Sequence, residues 1–369
     1  MTSFVESCAK TVTGSAAAAA RSSRGRPRAR QLLRLLADKK NILITTHDHP
    51  DPDAMASCLA LCTLITKAIP SATVKVALKG RVGGGLNEIF AKLINLDAIP
   101  WDESTLTSYD ALVLVDTQPA FGNSPLPASV SPTVVIDHHR SRGRKPRCTF
   151  CDVRSDVGAT GTIIFSYFME LEQPISPDLA ATMLYAIESD LAGAAGQPGE
   201  LDNIALSSLT LLADTRKLYK MRYVDLPQSV YMAFANGVNN AMYYDNAVMS
   251  HLETIISHEQ PAYVCDFLVR FDPVQYALVT AIYEGKLVLS LRVTPAGANR
   301  ITAAELMKRL VKGLGEGGGH RTKAGGMIPL STGSPTEIER IRATIRRRYI
   351  RAVGAHLSRG QRLVPKPGG

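Results

Sequence analysis

The chain has 369 residues, is 45% hydrophobic and 20% charged, and carries a formal net charge of +9 at pH 7. This balance excludes collagen-like, mucin-like and wholly disordered chains, and no run approaches the roughly 18 apolar residues of a membrane-spanning helix. The length predicts two domains rather than one.

Residues 1–30 hold six basic side chains against Glu6. They are rich in Ala, Ser and Arg, loosely like an organellar transit peptide, and are expected to form a disordered basic extension. A helical pattern spans Gln31–Lys39, followed by a short β-branched strand at Asn41–Thr46. The alternation continues with a helix over Ala54–Ile69, a strand at Thr73–Leu78 and a helix over Leu86–Ile94. Tyr109–Val115 and Thr133–Ile136 read as buried strands, and Gly161–Leu171 and Pro177–Ser189 as helices. Short apolar strands alternating with helices predict an α/β fold. Its sheet is mostly parallel and covered on both faces, with ligands bound beyond the carboxyl ends of the strands.

From Asp202 to about Met249 the pattern is mainly helical, with a break at Pro227. A hairpin is then expected from Gln275–Tyr283 and Lys286–Val293, and an amphipathic helix from Ala303–Leu314 that runs into a glycine-rich stretch ending at His320. The predicted organisation is a parallel-sheet domain over residues 31–200 and a helical connector over 201–255. A smaller α/β domain follows over 256–330, then a basic helix and tail over 331–369. That tail holds nine basic residues against Glu337 and Glu339, so residues 31–330 are left slightly acidic, at −3. Charge blocks at chain ends read as solvated tails or as arms for an anionic partner. Of six scattered cysteines, Cys148 and Cys151 form a lone CxxC-like pair with no second pair at zinc-ribbon spacing. Reduced thiols and a cytoplasmic location are therefore expected.

Three strand ends carry the chemistry. The first strand leads into His47-Asp48-His49-Pro50-Asp51-Pro52-Asp53. A polar turn explains the prolines, but not two imidazoles and three mutually repelling carboxylates without a cation. Asp116 directly follows Val113-Leu114-Val115, and Asp137-His138-His139 follows Val135-Ile136. A single Asp at a strand end is usually a cap or turn residue; three such ends on one parallel sheet are harder to dismiss. Asp190 closes an apolar helical run and is the weakest of the group. His47, Asp51, Asp53, Asp116, His138 and Asp190 offer mixed nitrogen and oxygen donors and no thiolate. This favours manganese(II) over a closed structural zinc, and six donors suit two ions sharing a carboxylate. In the glycine-rich stretch, a helix cap competes with an anion cradle of backbone N–H groups helped by His320, Arg321 and Lys323. The spacing is not that of a Walker A loop. Arg292 ends an apolar strand and is a further candidate for phosphate.

His47–Asp53, Asp116, Asp137-His138-His139 and Asp190 resemble, in order and spacing, the four motifs of the DHH phosphoesterase superfamily. Gly317-Gly318-Gly319-His320 followed by Ala324-Gly325-Gly326 resembles the signature of the DHH-associated C-terminal domain. The combination, over roughly residues 35–330, is similar to the NrnA-type nanoRNases and pAp phosphatases. The resemblance implies two manganese ions, with magnesium or cobalt as substitutes. His47 and Asp51 would hold one, Asp53, His138 and Asp190 the other, and Asp116 would bridge. His139 would face the scissile phosphate, supported by Asp137. Arg292, His320 and the amides of Gly318 and Gly319 would hold the substrate. The implied partners are short RNA or DNA oligonucleotides or pAp, without a membrane, and a homodimer is compatible with the family. The alternatives are a dinucleotide phosphodiesterase for cyclic or linear substrates, a RecJ-like single-strand exonuclease, and a non-catalytic nucleotide- or RNA-binding regulator. Three features depart from the pattern: Pro52 stands where glycine is usual, the segment after Asp190 is apolar, and Arg321-Thr322-Lys323 is unusually basic.

Overall fold

The computed structural model describes residues 28–80, 85–119, 121–141, 143, 146–191, 198–319, 321–356, 358 and 360–365. Most of the expected basic extension, the segment at 192–197 and His320 lie outside the described residues. The chain divides into two compact units. The first runs to Val224 apart from two short segments, and the second runs from Asp225 onward.

The first unit contains, in order, α1 (Arg28–Leu36), β1 (Asn41–Thr45), α2 (Pro52–Ala68), β2 (Thr73–Leu78), α3 (Leu86–Leu93), β3 (Ala98–Pro100), β4 (Ala111–Val115), β5 (Val134–Asp137) and β6 (Phe150–Val153). Four helices follow: α4 (Thr160–Glu170), α5 (Pro177–Leu191), α6 (Glu200–Leu212) and α7 (Thr215–Arg222). The six strands pair in the order β3-β2-β1-β4-β5-β6, every pair parallel. Alternation sends Ile42 and Ile44 into the core on one face and Leu43 into a cluster with Leu114 and Val135 on the other. Both faces are buried, which is why these strands read as continuous apolar runs. The order reverses between β1 and β4, so the crevice beyond their carboxyl ends is the expected ligand position.

Three elements differ in extent or presence from the expected pattern: α1 starts earlier, and the edge strands β3 and β6 were not expected. α1 begins at Arg28 because the Glu170 carboxylate accepts from the amides of Ala29 and Arg30, a cap supplied from α4. The short β6 escaped notice because it carries Asp152. That carboxylate is buried only because Arg154 forks onto it at 3.0 and 2.8 Å and Tyr167 donates to it at 2.7 Å.

The second unit comprises α8 (Gln228–Asn239), β7 (Met242–Tyr244), β8 (Ala247–Thr254), α9 (Gln260–Leu268), β9 (Tyr276–Tyr283) and β10 (Lys286–Val293). It continues with α10 (Pro295–Ala298), α11 (Ala303–Val311), β11 (Glu316–Gly319), β12 (Lys323–Pro329), α12 (Pro335–Val353) and β13 (Gln361–Arg362). Its seven-stranded sheet runs β11-β12-β10-β9-β8-β7-β13. The β9–β10 hairpin turns at Glu284-Gly285, both with positive φ. The expected helical pattern out to Met249 gives way to β7 and β8, since Val248, Met249 and Leu252 are divided between cores on opposite faces of the sheet. Glu316–Gly319 of the glycine-rich stretch form a strand. Gly317 and Gly326 face Met307 of α11, where an added Cβ would stand 2.8 and 2.6 Å from its side chain. Close strand-to-helix packing is thus one reason for the glycines. Among the described residues, no helix is long and apolar enough to cross a membrane.

Candidate metal centre

The three strand ends singled out above belong to β1, β4 and β5, which are adjacent in the sheet. Asp116 follows β4 in a left-handed conformation, φ 58°, which Asp tolerates better than most residues. Asp51 is the N-cap of α2, its side chain accepting from the amide of Ala54, and Pro52 occupies the first helical turn. A fixed φ near −65° suits that position, so proline in place of glycine here is a helix-starting device. Asp190 lies in the last turn of α5, which has Glu188 nearby and no basic residue to offset the helix dipole. Glu188 is paired with Arg222, which leaves Asp190, 3.4 Å from Nε2 of His138, as the carboxylate that the negative end of the helix disfavours without a positive charge.

The side chains converge. Nε2 of His47 lies 3.9 Å from Asp51 and 3.6 Å from Asp116, while its Nδ1 is 2.9 Å from the carbonyl of Asp48. Nε2 of His138 lies 3.6 Å from Asp116 and 3.4 Å from Asp190. Three groups have donor atoms mutually within 4.8 Å: His47, Asp51 and Asp116; Asp53, His138 and Asp190; and Asp116, His138 and His139. All six candidate ligands from the sequence fall in these groups, which overlap at Asp116 and His138. Asp48 and His49 do not; Asp48 is instead 3.6 Å from Lys79.

The surroundings orient these groups. Asp137, fully buried, receives Nδ1 of His139 at 2.7 Å and the Gln118 amide at 2.6 Å. Gln118 also donates to the carbonyl of His139 at 2.9 Å. The first amides of α4, from Thr160 and Gly161, donate to the two oxygens of Asp53 at 2.7 and 2.9 Å. The Thr160 hydroxyl donates to Asp116 at 2.7 Å. A Cβ at Gly161 would stand 2.9 Å from Asp53 Oδ1, so glycine keeps that approach open. The sequence reading missed Gln118, Thr160 and Gly161. The only trace of the last two is a Thr-Gly pair opening a helix with no side-chain cap of its own.

Without a cation these groups are in electrostatic conflict. Burial, then the charges of Asp116, Asp190 and Asp51, drive Asp53 well above the usual carboxylate range. Burial also opposes charge on Asp116, but the His47 hydrogen bond and then His139 and His138 outweigh it and hold Asp116 low. Against its own burial, His47 is raised to about 10 by Asp116 and Asp51, and His139 to about 9 by Asp137 and Asp116. Protons are doing what divalent cations would do better. The donor set, rich in carboxylate and imidazole and lacking thiolate, fits manganese or a similar ion.

In the second unit a cavity of about 330 Å³ is lined by His258, Ser290, Arg292, Gly319 and Lys323 among others. Arg292 is already gripped there by Asp266, at 2.5 and 3.2 Å, and donates to the Ser290 hydroxyl at 3.2 Å. Gly318 and Gly319 lie in the edge strand β11, opposite Gly325 and Ala324. Arg321 donates to Asn299. His258 was not foreseen; nothing near it in the sequence resembles a motif.

Residues 41–187 match the DHH family, N-terminal domain. An uncharacterised protein of Methanocaldococcus jannaschii is 28% identical over 310 residues, covering 83% of this chain and 62% of its own length. A probable manganese-dependent inorganic pyrophosphatase of Staphylococcus aureus is 30% identical over 152 residues, covering 39% of this chain and 46% of its own. The chain thus matches less than two thirds of the length of either relative. An exopolyphosphatase-related protein from Bacteroides fragilis has a similar fold, with a TM-score of 0.69 at 16% identity, covering 88% of this chain and 97% of that one.

Proposed function

We propose that this chain is a manganese-dependent phosphoesterase that releases mononucleotides from short single-stranded oligonucleotides, with the 3′-phosphate of pAp as a second substrate. The observation that carries this reading is the overlap of three carboxylate–imidazole groups at Asp116 and His138. His47, Asp51 and Asp116 would hold one ion and Asp53, His138 and Asp190 a second, with Asp116 between them. When bound, such a pair supplies Lewis acidity and an activated water for in-line attack at phosphorus. The similarity to a protein described as a probable manganese-dependent pyrophosphatase supports the choice of metal.

The chain's own groups would do the rest. Asp137 fixes Nδ1 of His139, so His139 would meet the phosphate or the leaving oxygen through Nε2. Thr160, Gly161 and Gln118 keep the acidic and imidazole groups in place. In the second unit, Arg292 and Lys323 would hold a phosphate, and the apolar Val288, Ala262 and Pro261 in the same cavity suit a nucleoside. A bare pyrophosphate has no use for that apolar lining, which favours oligonucleotides over pyrophosphate.

The test is purified protein with manganese, assayed on labelled di- to pentaribonucleotides, pAp, a cyclic dinucleotide and pyrophosphate. Mononucleotide release from the short strands is expected. Turnover of pyrophosphate alone would replace this reading with a pyrophosphatase. Tight oligonucleotide binding without turnover would make the protein a regulator.

A further inference from the structure

The first unit bears an exposed aromatic feature that the metal centre does not use. α7 is eight residues long and buries Leu218 and Met221; Met221 packs in a cluster with Met55, Phe90 and Ala186. The other side of the helix carries Arg216, Tyr219, Lys220 and Tyr223, spaced so that all four share one face. Tyr219 and Tyr223 are 63% and 68% exposed, and their rings lie 4.7 Å apart at 31°. Among the described residues, neither phenol has a hydrogen-bond partner and neither Arg216 nor Lys220 has an ion pair. The remaining cations of α7 are committed. Lys217 pairs with Asp178 at 2.5 Å, and Arg222 forks onto Glu188, with its shortest contact at 2.5 Å. Glu188 lies two residues before Asp190 on α5, so Arg222 ties α7 to the end of the helix that supplies a candidate metal ligand.

We infer that the Arg216–Tyr219–Lys220–Tyr223 face of α7 is a stacking platform for single-stranded RNA. Two exposed, mutually tilted rings offer π-faces to bases, and two uncommitted cations beside them match a phosphate backbone. Aromatic rings interleaved with cations are the chemistry by which proteins hold single strands without reading their sequence. A second copy of the chain is a poorer occupant, because stable interfaces bury about 800 Å² per partner and are depleted in lysine. An eight-residue helix with two unpaired cations meets neither condition. The inference rests on the proposed action on short RNA and extends it to strands long enough to touch α7 as well as the metal centre.

The experiment measures binding by the full chain in EDTA, where nothing is hydrolysed, using fluorescein-labelled single-stranded RNA of three and twelve nucleotides. The Tyr219→Ala/Tyr223→Ala pair should weaken binding of the twelve-mer roughly tenfold or more. The Tyr219→Phe/Tyr223→Phe pair, which keeps the rings, should bind like the native chain. Lys220→Ala should lower the slope of log affinity against log salt by about 0.7. Binding of the three-mer, pAp turnover with manganese and the melting curve should not change. Native-like binding of the twelve-mer by the Ala pair overturns the platform. So does a native dimer that the Ala pair abolishes while RNA affinity stays intact, which would make this face a self-interface. Tight, ring-dependent binding without hydrolysis of any oligonucleotide would sink the proposed activity and leave the platform standing.

Discussion

The two units manage charge in opposite ways. In the first, four carboxylates and three imidazoles crowd beyond one sheet edge, and their neighbours raise Asp53 and hold Asp116 low. In the second, the buried arginine of the cavity is already neutralised by Asp266. One cluster of acidic groups finds its counter-charge only in imidazoles; in the other the arginine already has its own carboxylate. The metal centre should therefore govern turnover and the cavity should govern affinity. Substitutions in the two units can separate these roles.

The largest effect belongs to Asp116. Asn keeps the left-handed backbone acceptable but removes the charge shared by two ligand groups. Turnover of a labelled dinucleotide should fall on the order of a thousandfold, as expected when several kcal/mol of metal-borne stabilisation are lost. Manganese should raise the melting temperature of the native chain and not that of Asp116→Asn, because a ligand stabilises only the state that binds it. Turnover close to native in this variant would remove Asp116 from the centre.

Asp137→Asn comes next. The side chain keeps its size, but His139 loses the carboxylate that fixes Nδ1. Loss of such a supporting partner costs roughly ten- to a hundredfold in activity. The loss should appear in kcat, with KM nearly unchanged. A pure KM effect would place His139 in substrate binding alone.

Arg292→Ala probes the other side of the comparison. Its partner Asp266 is half exposed, so water can solvate the carboxylate left behind and the fold should survive. KM for short oligonucleotides should rise about tenfold with kcat little altered, the signature of lost uniform binding. If kcat falls and KM does not, the division of labour between the units is wrong.

The same contrast explains what could be read from the sequence. β1, β4 and β5 announce themselves because a parallel strand buried on both faces is a short apolar run, and each ends in a carboxylate or imidazole. Order along the chain therefore marked the six side chains that the structure brings together. Its supports were hidden because they act through backbone amides, as at Thr160 and Gly161, or through a lone Gln118 far from any motif. The second sheet was less legible. β11 is Glu-Gly-Gly-Gly, a poor strand by propensity, and is a strand because β12 pairs with it and Met307 leaves no room for side chains. β7 and β8 follow a helical stretch, and their signals are the turn residues Asn239-Asn240 and Asp245-Asn246, the second of which joins the two strands.

The smallest predicted effect concerns stability in the second unit. His251 on β8 contacts the Thr280 hydroxyl, and burial, then Arg342 and Arg346 of α12, push its pKa from 6.5 down to about 3. The folded chain thus keeps His251 neutral where the unfolded chain protonates it. Stability from this group is complete above about 6.5 and is lost as pH falls from there toward 3. Carboxylates titrate in the same window, so the informative quantity is a difference. Denaturant melts of the native chain and of His251→Gln, which keeps a polar contact to Thr280 without a titrating group, should diverge between pH 6 and 4, with the native chain losing more. Parallel curves would mean that His251 already carries its proton in the folded state, with the two arginines too well solvated to prevent it.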